Sequence, residues 1–114
     1  MIDKRRTILV VEDVDEIRSQ MSEMLRKKGH QILSAANAKD AIKIAEHDRP
    51  HMILTDLDLP TFDALVQLVR AHKDLGSIPM AVIDINGPEL KPTQDVKILS
   101  DFEQLDYFLQ SCVN

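Results

Sequence analysis

Residues 53–60 read ILTDLDLP. An apolar run ends on Asp56, a second carboxylate follows at Asp58, and Pro60 closes the stretch. Carboxylates in alternation at a strand end suit a metal site, an aspartyl phosphorylation site or a solvated loop. The segments on either side decide between them by the fold they build.

Upstream, Thr7-Ile8-Leu9-Val10-Val11 is a continuous β-branched and apolar run. Such a run predicts a strand buried on both faces. Glu12-Asp13 follows it. Over 15–28, Ile17, Met21, Met24 and Leu25 recur at helical spacing, and Gly29 is a natural stop. Residues 31–36 form a second strand. Asn37 caps a helix over 38–47 whose apolar face is Ala38, Ala41, Ile42 and Ala45. Residues 51–55 form the third strand, the one leading into Asp56, and 57–62 a loop.

Downstream, Asp63 caps a helix to about residue 73 with Leu65, Leu68 and Val69 inward, and Gly76 closes it. Strand four covers 79–85, with Pro79 tolerated at its first residue. Strand five covers 96–99. Asp101 caps a last helix with Phe102, Leu105, Phe108 or Leu109, and Cys112 on its apolar side. Two prolines and a glycine in 86–94 argue against a full helix between strands four and five. This alternation predicts an α/β fold: a doubly wound five-stranded parallel sheet in the flavodoxin-like order 2-1-3-4-5, its fourth helix lost or reduced to a turn. Residues 1–114 form a single domain, the size expected for this length.

In such sheets, sites form outside the carboxyl ends of the strands, where the strand order switches. Strand one ends on Glu12-Asp13, strand three on Asp56 with Asp58 beyond, and strand four near Asp84. Two like charges at 4 Å repel by roughly 4 kcal/mol at an effective dielectric near 20. Protonation or a divalent cation must offset that. An all-oxygen site suits Mg²⁺, which takes one or two carboxylates and keeps several waters.

Composition removes other classes. Net charge is −5, from 19 acidic and 14 basic residues, which disfavours nucleic acid or an anionic membrane as main partner. No apolar run reaches the length of a membrane span. The lone Cys112 excludes an internal disulfide and a cysteine-based zinc cage, and a reducing cytoplasm fits. Aromatics are 4% with no Trp, too few for base stacking. His30, His47, His51 and His72 lack a common ligand spacing and are expected to be structural or at the surface. The basic end of the first helix, Arg26-Lys27-Lys28, complements its dipole.

The segments ILVVEDVDEIR and MILTDLDLPTFDAL, within the βα alternation over about 7–110, resemble the receiver domain of two-component response regulators. The resemblance implies that Asp56 is the phosphoacceptor. It implies that Asp13 and Asp56 bind Mg²⁺ directly, Glu12 through water, and Asp58 through its backbone carbonyl. It further implies phosphoryl supply from a histidine kinase or phosphotransfer protein and output through a downstream protein partner. Such a domain accepts a phosphoryl group and is not itself a turnover enzyme.

The second half departs from the family. Where receivers carry Ser or Thr at the end of strand four, this chain has Asp84, which donates no hydrogen bond to a phosphoryl oxygen unless protonated. Counting back from Leu105 puts Ile98 at the family's lysine, with Lys97 one earlier, and a one-residue shift reverses the facing of a strand residue. Lys91-Pro92 precedes strand five and is treated as coincidence. The strand-five aromatic is absent, and Ala64 replaces the glycine after the loop Asp. The expectation is an atypical receiver. Its main alternative is a phosphate-independent pseudo-receiver acting as a protein-binding module. Asp56-Leu57-Asp58 also partly resembles the nucleophile motif of haloacid dehalogenases, but that family usually has it on strand one of a larger chain. Residues 1–6 and 111–114 are too short for an output domain, so action by partner binding or phosphate relay is expected.

Overall fold

In the computed structural model, which describes residues 6–55, 62–83, 96–99 and 104, the β-branched run at the start forms β1 (Thr7–Val11). Ile8, Leu9, Val10 and Val11 are all fully buried. Alternate residues serve opposite sides of the sheet, which is why an unbroken apolar run is needed. Ile8 and Val10 join Met52, Leu54, Ala81 and Leu25 in one cluster, and Leu9 and Val11 join Ile53, Met80 and Val82 in the other.

The elements that follow are α1 (Asp15–Lys27), β2 (Gln31–Ala35), α2 (Ala38–Asp48), β3 (Met52–Thr55), α3 (Phe62–Ala71), β4 (Met80–Ile83) and β5 (Val96–Leu99). All strand pairs are parallel, and the strand order is β2-β1-β3-β4-β5. The α/β architecture with a parallel sheet is the expected one.

Each early boundary has a local cause. At the end of α1, Gly29 has φ +95°. Its N–H donates to Arg26 O (2.9 Å), and the His30 N–H donates to Leu25 O (3.2 Å). This is the Schellman pattern, in which a left-handed residue lets the chain bond back over the last turn. A side chain there is strained even though a Cβ would touch nothing within 4 Å. Gly29→Ala is therefore expected to cost about 1 kcal/mol, read as a lower urea midpoint at unchanged slope. At the start of α2, the Asn37 side chain accepts from the Asp40 N–H at 2.9 Å, the expected cap. Arg49 ends α2 at φ 46°, a left-handed position without glycine.

Some sequence expectations are corrected. On α1, Ile17 and Met24 are 41% and 44% exposed, while Ser22 and Leu25 are buried. The helix is rotated so that a small serine, not Met24, lies against the sheet. On α3, Leu68 is 50% exposed and Val66 is buried beside Leu65 and Val69. Asp63 lies inside the first turn of α3 and is not its cap, since the helix begins at Phe62. Met80, not Pro79, begins β4, and β3 begins at Met52, not His51. The expected 57–62 loop, save Phe62, the 86–94 crossover and the last helix, save the helical Gln104, lie outside the described residues.

The core of the α2–α3 side contains Ala38, Ala41 and Ala45 of α2 with Leu65, Val66 and Val69 of α3. Three alanines on one face let α2 approach the sheet closely. Between α3 and β4, the Arg70 Nη1 donates to Gly76 O (3.0 Å) and Ile78 O (2.9 Å), tying that connection to the helix.

Candidate functional site

The carboxyl edge of the sheet is built from β1 and β3 side by side. Val11 is in register with Ala35 of β2 and with Thr55 of β3. Thr55 is fully buried, and the next residue in sequence is Asp56. The Glu12 N–H donates to Ala35 O at 3.0 Å, which carries the β1–β2 ladder one step past the strand. Glu12 thus leaves the sheet from a fixed backbone position.

Glu12 is 1% exposed, a rare state for a carboxylate. Its Oε1 accepts from the Val14 N–H at 3.1 Å. Val14 is the N-cap of α1 and makes no side-chain capping bond, since its aliphatic side chain offers no acceptor. The glutamate two residues earlier binds that residue's own N–H instead. A carboxylate at the start of a 13-residue helix also meets the positive end of the helix dipole. Asp13, between them, is exposed.

Arg18 completes the turn from inside α1. Its Nη1 donates to Glu12 O at 2.8 Å, and its Nη2 pairs with Asp15 Oδ1. The Glu12 N–H, its C=O and its carboxylate are therefore each engaged, by Ala35, Arg18 and Val14 respectively. Sequence reasoning singled out Glu12 and Asp13 and passed over Arg18. The six-residue spacing from Glu12 to Arg18 is the only trace of it in the chain.

Glu12 and Asp13 offer hard carboxylate oxygens, the donor type that Mg²⁺ takes. One is buried and fixed and the other is exposed, which fits a cation that keeps part of its water. Among the described residues no three His, Cys, Asp or Glu side chains form a metal-holding group. Asp56, Asp58 and Asp84 lie outside the described residues. Lys97 and Ile98 are the second and third residues of β5, in register with Ala81 and Val82. Neither is the last residue of the strand, which runs to Leu99.

The histidines have structural partners. His51 Nδ1 accepts from the Thr7 N–H (3.0 Å), tying β3 to the start of β1. His72 Nδ1 accepts from the Asp74 N–H (3.0 Å), and its Nε2 lies 3.2 Å from Glu46 of α2. His47 lies 3.1 Å from Asp48. No described helix is long and apolar enough to cross a membrane.

Comparison with known proteins bears on this edge. The family model for the response regulator receiver domain matches residues 8–98. Protein PilH of Pseudomonas aeruginosa is 31% identical over 85 residues, 72% of this chain and 69% of PilH. Sporulation initiation phosphotransferase F of Bacillus subtilis is 35% identical over 79 residues, 69% of this chain and 56% of that protein. The chain's matched segment thus spans between about half and about two thirds of these relatives. Among solved structures, the receiver domain of the sensor histidine kinase PA1611 of Pseudomonas aeruginosa has a TM-score of 0.77 at 24% identity. The match covers 93% of this chain and 95% of that one, which has a magnesium ion coordinated in its active-site cleft.

Proposed function

Because the chain belongs to the response regulator receiver family, we propose that it serves two-component signal transduction as an atypical receiver, phosphorylated at Asp56 with the help of Mg²⁺. The observation that carries this is the buried, three-way-anchored Glu12 beside exposed Asp13, next to the strand that runs into Asp56. Burying a carboxylate costs free energy, and a cation at this edge would offset part of that cost beyond what the Val14 N–H supplies.

The chemistry is a single transfer. A carboxylate oxygen of Asp56 attacks phosphorus, and a new O–P bond forms. The bond between phosphorus and the donor's leaving group breaks, and that group leaves with the electron pair. Asp56 becomes an acyl phosphate. Asp13, Asp56 and the Asp58 carbonyl, with Glu12 through water, would hold Mg²⁺, which when bound would supply charge neutralisation at the phosphoryl oxygens. The donor is a histidine kinase or a phosphotransfer protein, and the product is read by a downstream protein partner. The chain acts as one domain that receives the group and is not a turnover enzyme. The acidic balance of the chain favours protein partners in the cytoplasm over nucleic acid or membrane.

Output departs from the family's usual coupling. Asp84 stands where a hydroxyl is usual, and Lys97 lies level with Ala81, short of the carboxyl end of β5. The crossover between β4 and β5 is proposed to lack a full helix, on the strength of its prolines and glycine. The same register favours a second reading, a phosphate-independent pseudo-receiver that binds a partner through its surface alone.

The test is to incubate the protein with Mg²⁺ and acetyl phosphate and record intact mass, with Asp56→Ala beside it. A phosphoryl adduct on the wild type and none on the variant is expected. No adduct on the wild type, with Mg²⁺ binding seen by titration, would replace the phosphoacceptor reading by the pseudo-receiver one.

A further inference from the structure

We infer that Arg18 is a positioning residue for the cation site: it holds the Glu12-Asp13 turn in its metal-accepting shape, and does so without being a ligand. The inference rests on the Mg²⁺ reading of the acid pair. Three observations carry it. The Arg18 Nη1 reaches across six residues to Glu12 O at 2.8 Å. Its other terminal nitrogen is held by Asp15, so the planar fork is fixed at both prongs. Its side chain is only 20% exposed. A largely covered guanidinium bonded to a backbone carbonyl sets where the next residue begins, and the next residue is Asp13.

The alternatives for Arg18 are weaker. A purely surface ion pair would engage Asp15 alone, and such pairs contribute little. Arg18 also lines both clefts that flank β2, of about 320 and 280 Å³. Its two bonds point instead to the turn and to the first residue of α1. Without Arg18, the Glu12 carbonyl loses a charged donor. The Val14 N–H then depends on a Glu12 backbone that keeps its Ala35 bond but has lost the one at its carbonyl. The acid pair would sample a wider range of separations. A cation with strict octahedral demands binds such a pair less well. Loss of a group that orients metal ligands typically weakens affinity by about 10-fold or more.

The experiment compares wild type with Arg18→Ala in two measurements at a temperature where both are folded. The first is Mg²⁺ affinity by titration. The second is amide hydrogen exchange at Glu12 and Val14, which needs no metal. Arg18→Ala is expected to raise the Mg²⁺ Kd by about 10-fold and to speed exchange at both amides. A merely structural arginine would lower the unfolding midpoint and leave the Kd of the folded protein in place, and that result would overturn the inference. So would faster exchange with unchanged affinity. If the wild type itself binds no Mg²⁺, the cation reading fails, and the positioning of a cation site fails with it. The exchange data would still show whether Arg18 fixes the turn. If the alanine variant does not fold, Arg18→Lys keeps the stem and charge but loses the fork, and carries the same comparison.

Discussion

Leu25→Ala is expected to destabilise the protein by about 3 kcal/mol, read as a fall in the urea midpoint at unchanged slope. Among the buried residues of α1, Leu25 is the only large apolar one, and the other is Ser22. Leu25 sits in a cluster with Ile8, Val10, Met52, Leu54 and Ala81, with Met21 and Ile32 packed partly against it. Ile17 and Met24 are too exposed to replace it. Its truncation leaves a cavity under the helix and removes the chief apolar contact that seats α1. Because domains of this size are stable by only about 5–15 kcal/mol, the loss is a large share of the total. Met24→Ala is the internal control and is expected to cost under about 1 kcal/mol, since that side chain is 44% exposed.

The opposite error is expected on the other side of the sheet. Ala45→Leu should cost about 2–3 kcal/mol by overpacking. Ala45 is fully buried, and Ala41 and Ala38 beside it are 1% and 4% exposed. These alanines set how near α2 lies to β1 and β2, and the same helix packs against α3. Ala45 is part of a packed cluster, so three added carbons press on its neighbours. Either the helix lifts, opening contacts along its whole length, or the leucine adopts a strained rotamer. A midpoint unchanged within error would mean that α2 sits farther from the sheet than its alanine face requires.

These two positions mark what was legible in the chain and what was not. Ala38, Ala41 and Ala45 recur at helical spacing in a segment with few other apolar residues, so the buried face was unambiguous. Gly29 and Asn37 each carry a local mechanism, a left-handed cap and a side-chain acceptor, and both boundaries fell where those mechanisms act. On α1 the stripe Ile17, Met21, Met24 and Leu25 misleads, since only Leu25 of the four is buried and Ser22 is the other buried residue. A buried serine in a helix leaves no periodic signature. On α3 the run FDALVQLVRA is so rich in apolar residues that spacing alone could not separate Val66 from Leu68. The acid pair was visible because two carboxylates follow an apolar strand. Arg18 was not, because its partner is a backbone carbonyl, and every residue has one. The proposed phosphoacceptor Asp56 and the atypical strand-four position Asp84 rest on sequence and resemblance alone, and both lie outside the described residues.

The strand order has a kinetic corollary. β1 bonds to β2 on one side and β3 on the other, and all three lie within residues 7–55. An interior strand of the sheet is therefore the first to be made, and its two neighbours are the next two strands in the chain. Each later strand adds to an edge that already exists, β4 on β3 and β5 on β4. Assembly can follow synthesis without waiting for a distant partner, which lowers the loop-closure cost of a parallel topology that otherwise folds slowly. The acid pair at the end of β1 would then take shape early, and β4 and β5 would dock last onto a template already in place.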